Sequence, residues 1–155
     1  MRRKNRLLVI GYGNTLRSDD GVGLKVAEAV AALNLPGVHT LICQQLLPEH
    51  AEPISQSERV VFVDAAFDPP KEVRLRPLEP NESSQVPGHA ADPRTVLALA
   101  RNVFGHAPCA WWLTIPASEF RFGEELSPLA QAGFETALAQ IRALASSHIA
   151  AESKG

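Results

Sequence analysis

The chain has 155 residues, of which 45% are hydrophobic, and its net charge at pH 7 is −2, with an isoelectric point near 6.2. A chain of this length buries roughly 70% of its unfolded surface, so we expect a single domain over residues 1–155 with a core of about 6–148. The balanced charge gives no electrostatic basis for binding nucleic acid or an anionic membrane. No apolar run is long enough for a signal peptide or a membrane span. We expect a cytoplasmic protein in which Cys43 and Cys109 are reduced and mostly buried.

The first half of the chain alternates strands with helices. Residues 7–10 form a continuous apolar run before a glycine, which is typical of a strand buried on both faces. From Val22, apolar residues recur at intervals of three and four, as on one face of a helix. The predicted strands cover 7–10, 38–43 and 60–63, and the predicted helices cover 22–33 and 48–57.

The second half continues this alternation. Residues 73–76 alternate apolar with basic side chains, as in an exposed edge strand, and the proline-rich stretch 77–88 predicts a loop. Asp92 as the N-cap and Pro93 at the first helical position predict a helix that ends near residue 104. The remaining predicted elements are a strand over 110–115 and a helix over 127–147, which Ser127 can cap.

This order of elements predicts an α/β fold with a mainly parallel twisted sheet of about five strands and helices on both faces, a three-layer α/β/α arrangement. In such sheets ligands bind just beyond the carboxyl ends of the strands. Asp20 follows the first strand, Asp64 follows the third, and His89 precedes the third helix. We expect these three side chains to meet at one edge of the sheet. Asp19 is expected to cap the helix that begins near Gly21, which leaves Asp20 free to project.

The turn after the first strand, Gly11-Tyr12-Gly13-Asn14, is similar to the start of a dinucleotide-binding motif. Leu16, however, stands where the third glycine would be, and two carboxylates would repel a pyrophosphate. A nucleotide-binding α/β domain is therefore the less favoured alternative. Asp20, Asp64 and His89 would instead supply two oxygen ligands and one nitrogen ligand, a set suited to nickel, zinc or manganese.

Several short blocks in a fixed order carry a family resemblance. They are Gly-Tyr-Gly-Asn-Thr-Leu at 11–16, Asp-Asp-Gly-Val-Gly at 19–23, Gln-Leu-Leu-Pro-Glu at 45–49, Val-Phe-Val-Asp-Ala-Ala at 61–66, Gly88-His89 ahead of the helix with Pro93, and Ile115-Pro116 with Phe120, Gly123, Leu126 and Ser127. Together they span residues 7 to 145. In this order and spacing the blocks resemble the [NiFe]-hydrogenase maturation endopeptidases.

The resemblance implies an activity and a site. The activity is removal of a short C-terminal extension from a hydrogenase large-subunit precursor after nickel insertion. The family's metal-contacting positions fall on Asp20, Asp64 and His89, which are then also the expected catalytic residues. The resemblance further implies that the precursor supplies the nickel. A non-catalytic nickel-binding maturation chaperone with the same ligands is the main alternative.

Overall fold

The computed structural model describes residues 6–81 and 92–154, with side chains up to residue 147. The strands are β1 (Leu7–Tyr12), β2 (Val38–Cys43), β3 (Arg59–Ala66), β4 (Arg74–Leu78) and β5 (Cys109–Pro116). The α-helices are α1 (Val22–Leu33), α2 (Ala51–Ser55), α3 (Pro93–Phe104) and α4 (Pro128–Lys154), and short 3-10 turns cover Ser18–Gly21 and Pro48–His50. Within the described residues, no helix combines the length and the apolar character that crossing a membrane requires.

The five strands form one sheet in the order β2-β1-β3-β5-β4. The pairs β1–β2, β1–β3 and β3–β5 are parallel, whereas β4 runs antiparallel to β5 at the edge. The predicted mainly parallel sheet of about five strands is confirmed, and so is the exposed edge strand. An edge position suits β4 because Pro77 has no backbone N–H to donate to a neighbouring strand, and an edge strand has a neighbour on one side only.

Helices cover both faces of the sheet, as predicted. On one face, α1 packs against β1 and α4 packs against β5, and Val9, Val26 and Ile141 are fully buried there. On the other face, α2 and α3 pack against β3, where Phe62 and Val96 have no exposed surface. The two apolar clusters on either side of the sheet stabilise the three-layer arrangement.

Several strands extend past their predicted ends, and β4 continues to Leu78, into the stretch that was predicted as a loop. β1 continues to Tyr12 and β3 to Ala66, so Asp64 lies within a strand rather than after it. The backbone ladder continues through Asp64, which pairs with Thr114 of β5, whatever the polarity of the side chain. The last helix is also longer than predicted and ends at residue 154.

The expectation that both cysteines are mostly buried is wrong for Cys109. Its side chain is exposed, whereas that of Cys43 is half-buried. Cys109 is the first residue of β5 and lies at the amino edge of the sheet, where the strand has just emerged from a loop. An apolar neighbourhood in sequence therefore did not imply burial at this position.

Candidate functional site

The crevice of the sheet lies at the carboxyl ends of β1 and β3. From β1 the chain crosses outward to β2 and then returns to β3 on the opposite side of β1. Such a reversal is the place where ligands bind in open α/β sheets. Tyr12 is the last residue of β1, and Asp64 lies level with it on β3 because Gly11 pairs with Val63.

Asp64 is a partly buried carboxylate at this edge. The hydroxyl of Tyr12 donates a hydrogen bond of 3.2 Å to Oδ2 of Asp64. Burial raises the pKa of Asp64 to about 6, and the charge of Asp20 acts in the same direction. Hydrogen bonds from the Ala65 N–H and the Tyr12 hydroxyl limit this rise. Asp64 therefore gains and loses a proton close to neutral pH, as functional carboxylates often do.

Asp20 approaches the crevice from the Ser18–Gly21 turn. The N–H of Asn14 donates to Oδ2 of Asp20 at 2.8 Å, and Oδ1 of Asn14 accepts the N–H of Leu16 at 2.9 Å. Gly13 has a φ of +141°, and a Cβ there would lie 2.0 Å from the carbonyl oxygen of Asp20. Among the described residues, no donor reaches Oδ1 of Asp20, so that oxygen is available to a cation.

The first turn of α1 packs directly against this edge of the sheet. A Cβ on Gly23 would lie 2.3 Å from the carbonyl oxygen of Val63 and 3.0 Å from that of Tyr12. Only glycine permits so close an approach of helix and strand. The positive end of the helix dipole therefore lies at the same edge of the sheet as the two carboxylates.

Asp19 does not cap α1, so that prediction is wrong. Its side chain is fully buried and accepts hydrogen bonds from the N–H groups of Ser118, Glu119 and Ser127, at 2.9, 3.0 and 2.8 Å. The Ser127 hydroxyl donates a fourth bond, at 2.6 Å. Burial alone would raise the pKa of Asp19, but these bonds lower it below its ordinary value. The four donors lie about a hundred positions away in sequence, which no local pattern reveals.

Two aromatic side chains beside Asp64 were missed by sequence reasoning. Tyr12 and Trp112 pack on the sheet face that α2 and α3 cover, and burial raises the pKa of Tyr12, so its hydroxyl stays protonated and acts as a donor. The indole Nε1 of Trp112 is buried and has no hydrogen-bond partner among the described residues. Alternation along three strands places positions 12, 64 and 112 on one face, but only once the register is known.

His89 lies outside the described residues, so its place in the ligand set stays a prediction. Asp92, three residues further along the chain, is the N-cap of α3. Within residues 6–81 and 92–147, no three His, Cys, Asp or Glu side chains are close enough to hold a metal ion together. Asp20 and Asp64 are the predicted pair that the fold brings together.

The fold and this site can now be compared with those of known proteins. No protein-family model matches the chain, and a search of curated proteins also gives no match. The structure is similar to the [NiFe] hydrogenase maturation protease HybD from Thermococcus kodakarensis, with 26% identity, 90% of this chain and 99% of that chain covered, and a TM-score of 0.69.

Two further solved structures share the fold. The hydrogenase maturating endopeptidase HybD from E. coli is 23% identical over 92% of this chain and 93% of its own, with a TM-score of 0.72. The [NiFe] hydrogenase maturation protease HycI from Thermococcus kodakarensis KOD1 is 23% identical over 92% of this chain and 91% of its own, with a TM-score of 0.68. The fold of this chain is therefore the fold of solved [NiFe] hydrogenase maturation proteases, which its structure resembles over nine-tenths of its length.

Proposed function

We propose that this protein is an endopeptidase that removes the C-terminal extension of a [NiFe]-hydrogenase large-subunit precursor after nickel insertion. The observation that carries the proposal is the half-buried carboxylate of Asp64 at the topological switch point, where burial and the charge of Asp20 raise its pKa. The similarity to a maturation protease, which is covered over 99% of its length, supports it.

The ligand that we propose for these carboxylates is nickel carried by the precursor. Carboxylate oxygens and an imidazole nitrogen suit a first-row divalent cation, and a cation would favour the ionised form of Asp64. Asp20 has one oxygen, Oδ1, without a donor among the described residues. His89 is the proposed third ligand, because the family resemblance places the family's metal-contacting histidine at this position.

Substrate-bound nickel would couple recognition to chemistry. When the precursor's nickel is ligated by Asp20, Asp64 and His89, the adjoining peptide bond is held at the crevice. A cation there lowers the barrier to amide hydrolysis by polarising the carbonyl group or by activating a water molecule. A precursor without nickel lacks this link and is expected to bind poorly. Cleavage then reports that nickel insertion is complete.

The test is the intact mass of a cognate large-subunit precursor, with and without nickel, after incubation with this protein. We expect a C-terminal peptide to be lost only from the nickel-loaded precursor. Asp20→Ala and His89→Ala should abolish this loss while leaving the fold intact, because loop residues at a crevice contribute little packing. Glu28→Ala, which removes an exposed carboxylate from α1, is the matched control and should cleave normally.

Other outcomes of this experiment would contradict parts of the proposal. A cognate nickel-loaded precursor that stays intact, together with tight nickel binding by the isolated protein, would favour the chaperone alternative. Cleavage that does not depend on nickel would keep the peptidase and remove the recognition mechanism. Normal processing by both Asp20→Ala and His89→Ala would overturn the assignment of the site.

A further inference from the structure

Three exposed apolar side chains lie on adjacent backbone segments beside the candidate site. Leu16, Phe120 and Phe122 are 52%, 55% and 86% exposed, and we call them the apolar rim. The N–H of Gly123 donates to the carbonyl oxygen of Leu16 at 2.9 Å, which joins the two segments. The ring of Phe120 packs edge-on against Phe67, with centroids 5.3 Å apart. Phe67 directly follows β3, so the rim extends from the Asp20 loop to the end of the Asp64 strand.

The rim is held in a fixed position relative to Asp20. The N–H of Ser18 donates to the carbonyl oxygen of Gly123 at 2.8 Å, and its hydroxyl donates to that of Arg121 at 2.7 Å. Ser18 has a φ of +54°, a left-handed conformation that a non-glycine residue keeps only where its surroundings enforce it. The buried carboxylate of Asp19 joins the same two segments from below. The aromatic side chains are therefore carried on an anchored backbone.

An anchored and exposed apolar surface is a common property of protein-binding sites. Phe122 leaves most of its ring in water, which is unfavourable unless a partner covers it. Because the backbone beneath it is already ordered, binding a partner here would cost little additional conformational entropy.

We propose that the apolar rim is the docking surface for the precursor polypeptide next to its nickel-binding segment. This inference rests on the proposed function. Leu16 is four residues from Asp20 on one loop, and Phe120 contacts Phe67 just after β3, so a polypeptide that brings nickel to Asp20 and Asp64 would lie beside the rim.

The charges around the rim define the chemistry of this polypeptide. Glu119 and Arg121 pair with each other at 2.8 Å. Glu124 and Glu125, both exposed, follow Phe122 on the same segment, while exposed Arg17 adjoins Leu16 at the other end of the rim. The complementary polypeptide carries an apolar side chain for Phe122 next to a basic one for the two glutamates.

Steady-state cleavage of a nickel-loaded large-subunit precursor tests this docking role. We expect Phe122→Ser to raise KM about tenfold while kcat is retained, because the ring contributes to binding and not to the reacting groups. Phe104→Ser is the matched control: Phe104 is 47% exposed but ends α3 at the opposite edge of the sheet, so its KM should equal that of the wild type. Equal KM values for the two variants would overturn the proposal.

Binding of the nickel-free precursor provides a second readout, because this binding is weak without the nickel link, depends on the rim and is not followed by cleavage. Phe122→Ser should weaken this binding and Phe104→Ser should not. If the wild type cleaves neither form of the precursor but Phe122→Ser still weakens binding, the proposed function fails and the docking surface stands. Failure of the wild type to bind either form would overturn the docking surface. So would a wild-type dimer that Phe122→Ser converts to a monomer, because the rim would then serve self-association.

Discussion

Asp64 is ionised at neutral pH at a cost in folding stability. Its pKa is about 6 in the folded protein against an ordinary value of 3.8, so the unfolded chain loses this proton first as the pH rises. The unfavourable contribution of Asp64 to the free energy of unfolding is therefore absent below about pH 4. It grows as the pH rises towards 6 and is constant at higher pH. We expect Asp64→Asn to raise the free energy of unfolding by about 1–3 kcal/mol at pH 8 and to abolish cleavage.

Urea unfolding of the metal-free proteins at pH 8 and pH 4 checks this prediction. The rise in the free energy of unfolding caused by Asp64→Asn should shrink towards zero at pH 4, because the wild-type side chain is protonated there in the folded state. Asp68→Asn makes the same change in an exposed turn after β3 and should show little gain at either pH. A loss of stability at pH 8, or a gain of equal size at both pH values, would contradict the burial argument.

The Tyr12 hydroxyl has a predicted role in setting the pH range of the enzyme. It donates to Asp64 and so stabilises the ionised carboxylate. Tyr12→Phe removes this donor and raises the pKa of Asp64, because the ionised form loses a hydrogen bond. We expect the acidic limb of the profile of kcat/KM against pH to move to higher pH by about half a pH unit, with little change in kcat/KM at pH 8. The profile is measured with nickel-loaded precursor, and an unshifted acidic limb would show that Tyr12 does not control this proton.

At the scale of elements, one carboxylate joins the first loop to the start of α4. Asp19→Ala would leave the N–H groups of Ser118, Glu119 and Ser127 without their acceptor, and we expect a loss of about 3–5 kcal/mol in the free energy of unfolding. Because the folded pKa of Asp19 is lowered, its stabilising contribution is full at neutral pH and disappears as the pH falls below about 4.

Two serine variants show whether this loss belongs to the carboxylate. Ser127→Ala removes one donor to Asp19 together with the cap on the N–H of Ala130, and should cost about 1 kcal/mol. Ser57→Ala removes a fully buried hydroxyl that bonds only locally to Pro53, and serves as the control. In thermal unfolding of the three variants, Asp19→Ala should lose by far the most stability. Similar losses for all three would mean that the junction does not depend on Asp19.

Local signals predicted the elements whose limits are set locally. The bounds of α1 were predicted from apolar spacing and from the stop at Leu35-Pro36-Gly37, and the start of α3 from Asp92 and Pro93. Each of these limits depends on neighbouring residues. Strand ends were predicted less well, since the parallel ladder carries β3 through a charged residue. Asp19 was also mispredicted because its partner is distant in sequence: a local cap was expected, and a hydrogen bond from Ser127 was found.

At the scale of the whole molecule, topology located the two carboxylates in advance. The rule that ligands bind at the carboxyl ends of parallel strands selected Asp20 and Asp64 without any knowledge of the register. Tyr12 and Trp112 could not be selected in this way. Their proximity to Asp64 depends on how three strands align, and the sequence of one strand does not contain that information.

The whole arrangement depends on the close approach of α1 to the sheet. In Gly23→Ala the new methyl group would lie 2.3 Å from the carbonyl oxygen of Val63, so the helix must move outward and carry the Ser18–Gly21 turn with it. We expect a loss of about 3 kcal/mol or more and a marked loss of cleavage, although alanine favours helices by about 1 kcal/mol over glycine.

Gly105→Ala separates this steric effect from the general consequences of replacing a glycine. Gly105 has a φ of +86°, but a Cβ there would meet nothing within 4 Å. Its replacement should cost only the backbone strain of about 1 kcal/mol and leave cleavage unchanged, because α3 ends far from the crevice. Thermal unfolding and precursor cleavage are measured for both variants. If Gly23→Ala were as stable and active as Gly105→Ala, close packing of α1 would not be what positions Asp20 beside Asp64.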